Sequence, residues 1–428
     1  MTFERVGRAI APTFRSLHNR NYRLYASGGV VSNTGTWMQR VAQDWLVLHL
    51  SHNNGVALGI TTGLQFLPML LLAPWAGTLA DRWSKRRVLI ATQTSMAVVG
   101  AVLGLLDVTG VVQVWHVYLL ALLLGVAAAA DAPARQSFVI EMVGPDDLTN
   151  AVGLNSASFN LGRVLGPATA GFLILAVGTG PVFLLNALSF LGVIVALARM
   201  RSDELMPMPR VPRTPGQLLE GFRYVRSRPD LVMVMAIVSV VGTFGLNFQI
   251  TSALMATEVF GKGAAGYGIL GSVLAVGSLS GALIGARRGR PRLRLVVLGA
   301  AAFGTVEVAA GLMPTYALFV ALLIPLGLAQ MTMLNAANAT LQLRVDPAMR
   351  GRVMALYLAV FMGGTPIGAP LVGAVAEAFG PRWGLIGGGL ISVTAAVVGG
   401  ALLARRRGVV LRDELPWRRS VTPDRMAA

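Results

Sequence analysis

Apolar runs of about the length that crosses a bilayer as an α-helix succeed one another along the chain, separated by short stretches of charge, Gly and Pro. Cutting at those stretches predicts twelve helices, near residues 23–50, 56–79, 88–107, 113–133, 149–177, 181–199, 231–256, 265–286, 294–313, 315–338, 352–378 and 382–404. One connection is long and polar: residues 200–230 carry five Pro or Gly breakers between Pro207 and Gly216, with mixed charges. It splits the helices six and six. The expected organisation is an amphipathic segment lying on the membrane surface (1–22), a six-helix bundle (23–199), a linker (200–230), a second six-helix bundle (231–404) and a basic tail (405–428).

The halves share more than a helix count. At a constant offset of 202 residues, Gly125 aligns with Gly327, Pro145 with Pro347, Phe159 with Phe361, Gly162 with Gly364, Gly166 with Gly368 and Gly171 with Gly373. Apolar matches arise by chance in membrane sequences; a run of Gly and Pro matches at one offset does not. The halves are therefore expected to be a parallel repeat.

Composition makes the chain an integral membrane protein: 54% hydrophobic, 13% charged, mean hydropathy +0.65. A net charge of +17 in a soluble protein would point to nucleic acid. Here its placement excludes that partner. With the N-terminus in the cytoplasm, 32 of 36 Lys and Arg fall on cytoplasmic segments, Lys262 and Arg382 lie outside, and Arg40 and Arg163 lie within spans. This asymmetry sets both termini inside and leaves anionic lipid as the surface partner. Residues 1–20 contain five charges and no continuous apolar core, so no cleavable signal is expected. There is no cysteine, and the four histidines (His18, His49, His52, His116) lack ligand spacing, so neither a metal site nor a cofactor is expected.

The densest polar punctuation is GTLADRWSKRR, Gly77 to Arg87, whose charges cannot lie in hydrocarbon. It resembles the loop between helices 2 and 3 of the major facilitator superfamily of secondary transporters, G-x-x-x-D-R-x-G-R-R. Gly77, Asp81, Arg82 and Arg86 match, Lys85 keeps the charge, and Ser84 replaces the second Gly. Asp81 is placed to meet the positive start of span eleven near Gly351 and Arg352 and hold the cytoplasmic side shut; a solvated topogenic cluster is the plainer alternative. The second-half counterpart, GALIGARRGRPR from Gly281, has no Asp. Span five carries Gly153, Gly162, Gly166, Pro167, Ala170 and Gly171, a spacing that resembles the antiporter motif of superfamily exporters, G-x8-G-x3-G-P-x2-G-G, with Ala170 for one Gly. Small residues at such spacing let helices approach closely and rock. The arginine that proton-coupled exporters usually carry on span four is absent; Ala121 stands there, four residues before Gly125. The stretches FRSLHNRNYRLYASGGVVSNTGTWMQRVAQDWLVL and DAPARQSFVIEMV are similar to the branch containing enterobactin exporters and macrolide efflux proteins.

The resemblance implies that spans 1, 4, 7 and 10 line a central cavity, that 2, 5, 8 and 11 form the moving interface, and that the others face lipid. On that scheme Asp44, four residues after Arg40 on span one, is the leading carboxylate for proton coupling, with Arg40 and Arg163 as its cationic partners; a permanent Arg40–Asp44 ion pair is the structural alternative. Glu307, on span nine, is expected to be structural or lipid-adjacent. Substrate-cavity candidates are Trp37, Met38, Gln43, Gln65, Asn155, Asn247, Gln330, Asn335 and Tyr357. No catalytic constellation or nucleotide-binding loop is visible, so an enzyme is not expected. The implied function is a secondary active exporter of amphipathic or lipophilic small molecules, of multidrug or macrolide type. It would work by alternating access with protons as the coupling ion, as a monomer in the bacterial inner membrane. Siderophore export by the same fold is the alternative, and uptake fits the span-five motif less well.

Overall fold

The computed structural model describes residues 11–206, 217–287 and 293–405, with the side chains of 73–82 outside that description. It is all-helical. In the first half α1 (Arg20–Leu50), α2 (Gly55–Arg82) and α3 (Lys85–Val108) are joined by short turns. A single helical run from Val114 to Val177 follows, broken only at Gly144 into α4 (114–143) and α5 (145–177), and then α6 (Thr179–Ala198). The second half contains α7 (Pro229–Val259), α8 (Ala264–Arg287), α9 (Leu293–Gly311), α10 (Tyr316–Arg344), α11 (Arg350–Phe379) and α12 (Pro381–Arg405). A short helix, Gln217–Ser227, precedes α7, and residues Ala11–His18 form a 3-10 helix rather than an α-helix.

Three expectations change. The predicted connection 134–148 is almost entirely helix, because Phe138, Val139 and Met142 are buried against Tyr22 and Tyr25 of α1. The chain turns at Gly144 alone, whose φ of +72° only Gly adopts without strain, and Pro145 restarts the helix where its missing N–H costs nothing. The segment 77–87 is likewise a helix end, a two-residue turn at Trp83 and Ser84, and a helix start. Glu307 is 1% exposed inside the second bundle, not at its surface.

By length and composition ten stretches of helix qualify as membrane spans, the 114–177 run counting once. The exception is α1. Its buried face carries Asn21, Ser32, Gln39, Gln43 and Asp44, polar groups that lower its hydropathy and that only a surrounding bundle can satisfy.

The repeat is real but not at one register. Pro229 follows Arg20, and Ala264 follows Gly55, by 209 residues, whereas Tyr316 follows Val114 and Pro381 follows Thr179 by 202. Equivalent contacts obey both registers. Gly162 and Gly166 bring α5 onto α1 at Thr34, as Gly364 and Gly368 bring α11 onto α7 at Thr243. Gly125 sets α4 on the Gln65 carbonyl of α2, as Gly327 sets α10 on the Leu274 carbonyl of α8.

Two helix pairs join the halves, α2 with α11 and α5 with α8. A Cβ on Gly59 would lie 2.5 Å from the Ala369 carbonyl oxygen, and one on Gly171 would lie 2.5 Å from that of Ala264, so backbone meets backbone directly. All of these contacts lie away from the end bearing the basic turns. At the basic end, a Cβ on Gly153 of α5 or on Gly351 of α11 would meet no atom within 4 Å. The two bundles thus meet backbone to backbone at the end away from the basic turns, which is their closed end.

Candidate coupling and substrate site

The seam between the halves carries four polar contacts among the described residues. Tyr267 of α8 donates its hydroxyl to Asp44 Oδ2 of α1 at 2.7 Å and lies 3.3 Å from the Gln249 carbonyl oxygen. Arg163 Nη2 of α5 donates to Ser278 Oγ of α8 at 3.2 Å. The Ala168 N–H, beside the helix-distorting Pro167, donates to Ser272 Oγ at 3.0 Å. At the closed end the Gly55 N–H, at the start of α2, donates to Glu377 Oε2 of α11 at 2.8 Å, a carboxylate facing a helix N-terminus.

Around Asp44 the side chains of α1, α2 and α5 converge. Arg40 does not pair with Asp44. Its guanidinium lies 4.8 Å from the Trp37 ring centroid and 5.4 Å from that of Phe66. Arg163 approaches the same Trp37 ring at 5.9 Å. Among the described residues neither arginine has a carboxylate within ion-pair distance, so two guanidinium groups share one indole, held by cation–π attraction. Phe159 packs edge-on against Trp37 at 5.8 Å, and Gln43 donates to Gln65 Oε1 at 3.0 Å. Met38 is buried in the core behind this cluster.

The remaining cavity candidates are distributed elsewhere. Asn155 accepts from the Tyr22 hydroxyl at 3.2 Å near the basic end. Asn247 donates back to the Thr243 carbonyl within α7. Tyr357 is buried and stacks on Phe361 with centroids 6.3 Å apart. Asn335 is exposed on α10, and Gln330 is partly buried with its Oε1 enclosed and unpartnered.

The predicted gating segment divides in the same way. The side chains of Gly77, Asp81 and Arg82 lie outside the described residues. Lys85 pairs with Glu141 of α4, and Arg86 donates to the Leu197 and Ala198 carbonyls at 2.7 and 2.8 Å, covering the end of α6. Arg352, at the start of α11 where Asp81 was expected to dock, pairs with Glu220 of the short helix at 2.7 Å. Within the span-five motif, Gly162 and Gly166 face α1, Pro167 and Gly171 face α8, Ala170 is fully buried and Gly153 faces open space. Sequence reading missed Tyr267, Ser278 and Glu377. A phenol inside the apolar run of α8 was the available signal for the first and a carboxylate within the predicted span 352–378 for Glu377; nothing in the local pattern marks Ser278.

Residues 11–410 match the family model described as transmembrane secretion effector. Macrolide efflux protein A of Streptococcus pyogenes is 23% identical over 88% of this chain and 94% of its own length. An enterobactin exporter of Escherichia coli O1:K1 / APEC is 26% identical over 79% of this chain and 80% of its own. The staphyloferrin A transporter of Staphylococcus aureus (strain NCTC 8325 / PS 47) is 30% identical over a shorter match, 41% of this chain and 44% of that protein. The inward-facing, unoccupied crystal structure of a bacterial homolog of the human lysosomal transporter Spinster superposes with a TM-score of 0.71 at 16% identity, covering 89% of this chain and 96% of that one, a likeness of fold. With its family model spanning all but the chain ends and its two six-helix bundles closed around a polar seam, this chain belongs to the transmembrane secretion effector family of the major facilitator superfamily, multi-pass transporters of small molecules.

Proposed function

We propose that the protein is a proton-coupled exporter of amphipathic small molecules that works by alternating access, with its basic end and both termini in the cytoplasm. The observation that carries this reading is the Asp44–Tyr267 hydrogen bond. Asp44 is 4% exposed on α1, and its partner belongs to the other half, so a proton arriving on the carboxylate changes a bond on which both halves depend. An ionised Asp44 accepts from Tyr267 and ties the halves; a protonated one weakens that tie. Arg40 and Arg163, which share the Trp37 ring, are the positive charges of the same site.

Efflux of a fluorescent dye from cells, wild type beside Asp44→Asn, with and without a protonophore, tests it. Efflux that the protonophore stops and Asp44→Asn abolishes, at equal expression, is the expected result. Wild-type efflux that survives loss of the proton gradient overturns the coupling.

A second reading concerns the cargo. Two unpaired guanidinium groups over one indole favour an anionic aromatic or carboxylate-bearing compound over a cationic one, which sides with the siderophore exporters among the relatives rather than with the macrolide efflux protein. An anionic dye should be exported at least about tenfold faster than a cationic dye of similar size, the equivalent of roughly 1.4 kcal/mol. The double variant Arg40→Gln, Arg163→Gln should erase that preference. A cationic preference in the wild type removes this second reading and leaves the first.

A further inference from the structure

Three acidic side chains are buried among the described residues, and two of them accept hydrogen bonds. Asp44 accepts from Tyr267, and Asp131 accepts from Thr92 at 2.9 Å, Gln93 at 2.8 Å and Arg135 at 2.9 Å. The third, Glu307 of α9, is 1% exposed, receives no hydrogen bond or ion pair from the described residues, and has its Oε2 enclosed without a partner. A bare carboxylate in that position is stable only if a cation accompanies it, because transfer from water to a low-dielectric interior costs several kcal/mol or more.

The surroundings fit such a cation. A Cβ on Gly245 of α7 would lie 3.2 Å from Oε2 and 2.8 Å from Ser392 Oγ of α12; a Cβ on Gly388 of α12 would lie 3.3 Å from Oε1 and 2.6 Å from the Phe244 carbonyl oxygen. The two glycines thus let the backbones of α7 and α12 close directly on the carboxylate, in a setting that also holds a hydroxyl and a main-chain oxygen. At the same level α7 loses its regular helix. Residues Val241–Gly245 form a wide π-turn, Leu246 and Asn247 leave helical geometry, and the helix resumes at Phe248. Such turns free main-chain carbonyls and recur at functional sites in membrane helices.

Among the described residues, none of those that the two glycine contacts place beside Glu307 (Phe244, Phe303 and Ser392) is titratable. Tyr316 and Arg344 stand at the two ends of α10, which also packs on α9. Asp230 and Glu258 sit toward the two ends of α7, Arg294 stands at the start of α9, and Arg382 of α12 is engaged with the carbonyls of Gly311 and Met313 at 2.8 Å each.

We infer that Glu307 is a monovalent-cation site of the second bundle, filled by a proton or by Na+, and that its occupancy sets the conformation of α7 over 241–247. The site is separate from Asp44 and does not require the coupling proposed there.

Two measurements on full-length protein in lipid nanodiscs test it, both in an Asp44→Asn background so that the first carboxylate is not counted. One records protons taken up on a step from alkaline to acid buffer without Na+. The other records the unfolding temperature and hydrogen exchange over 241–247 in NaCl against choline chloride. A proton site predicts one proton fewer per molecule in Glu307→Gln and no Na+ effect. A sodium site predicts stabilisation and slower exchange over 241–247 by Na+ that Glu307→Gln abolishes. Equality of Glu307→Gln with its parent in both measurements overturns the inference. Should that variant fail to fold, Ser392→Ala keeps the carboxylate. The inference then requires a shifted proton-uptake midpoint or a weakened Na+ effect, and no change in either overturns it.

Discussion

The junction where the first, third and sixth helices of a half meet is built in two opposite ways. In the first half Gln39, Asn186 and Ser189 form a neutral knot: Asn186 donates to Gln39 Oε1 at 2.5 Å, and Ser189 donates to Asn186 Oδ1 at 2.8 Å. α1 runs through it unbroken for 31 residues. At the register of 202, Asn186 corresponds to Gly388, so the amide is missing where Gly388 packs against Phe244 and Glu307. α7 breaks there. A neutral cluster tied by side-chain hydrogen bonds holds a helix in place, although Gln39 Nε2 is left without a partner among the described residues. A buried carboxylate that accepts no hydrogen bond, beside unwound backbone, makes no such tie. On this comparison the first bundle is expected to be the stiffer of the two.

The comparison can be broken at several points. The largest effect belongs to Asp131. Asp131→Ala strands the Arg135 guanidinium and unpairs Thr92 and Gln93, and should cost about 3–5 kcal/mol of stability. Glu307→Gln, which strands no hydrogen-bond partner among the described residues, should stay within about 1 kcal/mol or stabilise. Thermal unfolding of the two variants side by side decides whether bonded and bare carboxylates differ as described. Next is the knot itself. Asn186→Ala should cost about 1–3 kcal/mol and raise hydrogen exchange in α1 toward that of α7 at 241–247; unchanged exchange in α1 would mean that the knot does not stiffen it. The smallest effect is at the closed end. Glu377→Gln removes a negative charge from the N-terminus of α2 and should weaken closure by about 0.3–1 kcal/mol. Spin labels across the closed end should report a modest rise in the separated population, reduced in high salt for the wild type.

The number of helices, the six-and-six division and the glycine seam were legible because each depends on local pattern: apolar length, a Pro-rich linker, and small residues at helical spacing. The turn at Gly144 was not, since charges at Asp131 and Arg135 and the ring of Pro133 imitate a loop. They read differently once Arg135 is seen to bond Asp131 one helical turn away, at 2.9 Å. The family resemblance led to Asp44 and Arg40, four residues apart on one helix face. Local spacing offered Arg40 as the partner, whereas burial of Tyr267 on a helix 223 residues later supplied it. Glu307 was left between a structural and a lipid-adjacent place for a related reason: a rule about which spans face lipid says nothing of which face of a span a single residue occupies.

The polarity of α1 has a consequence for how the protein is made. An Arg and an Asp near the middle of a span each disfavour entry into the bilayer by about 2.5–3.5 kcal/mol, and Gln39 and Gln43 add to the burden. This helix would therefore partition weakly by itself. Its stable insertion must await later helices that receive those groups, α6 offering Asn186 and α8 offering Tyr267. Biogenesis of the transporter thus becomes a cooperative event in which the span bearing the chemistry is retained at the membrane until much of the chain has been synthesised.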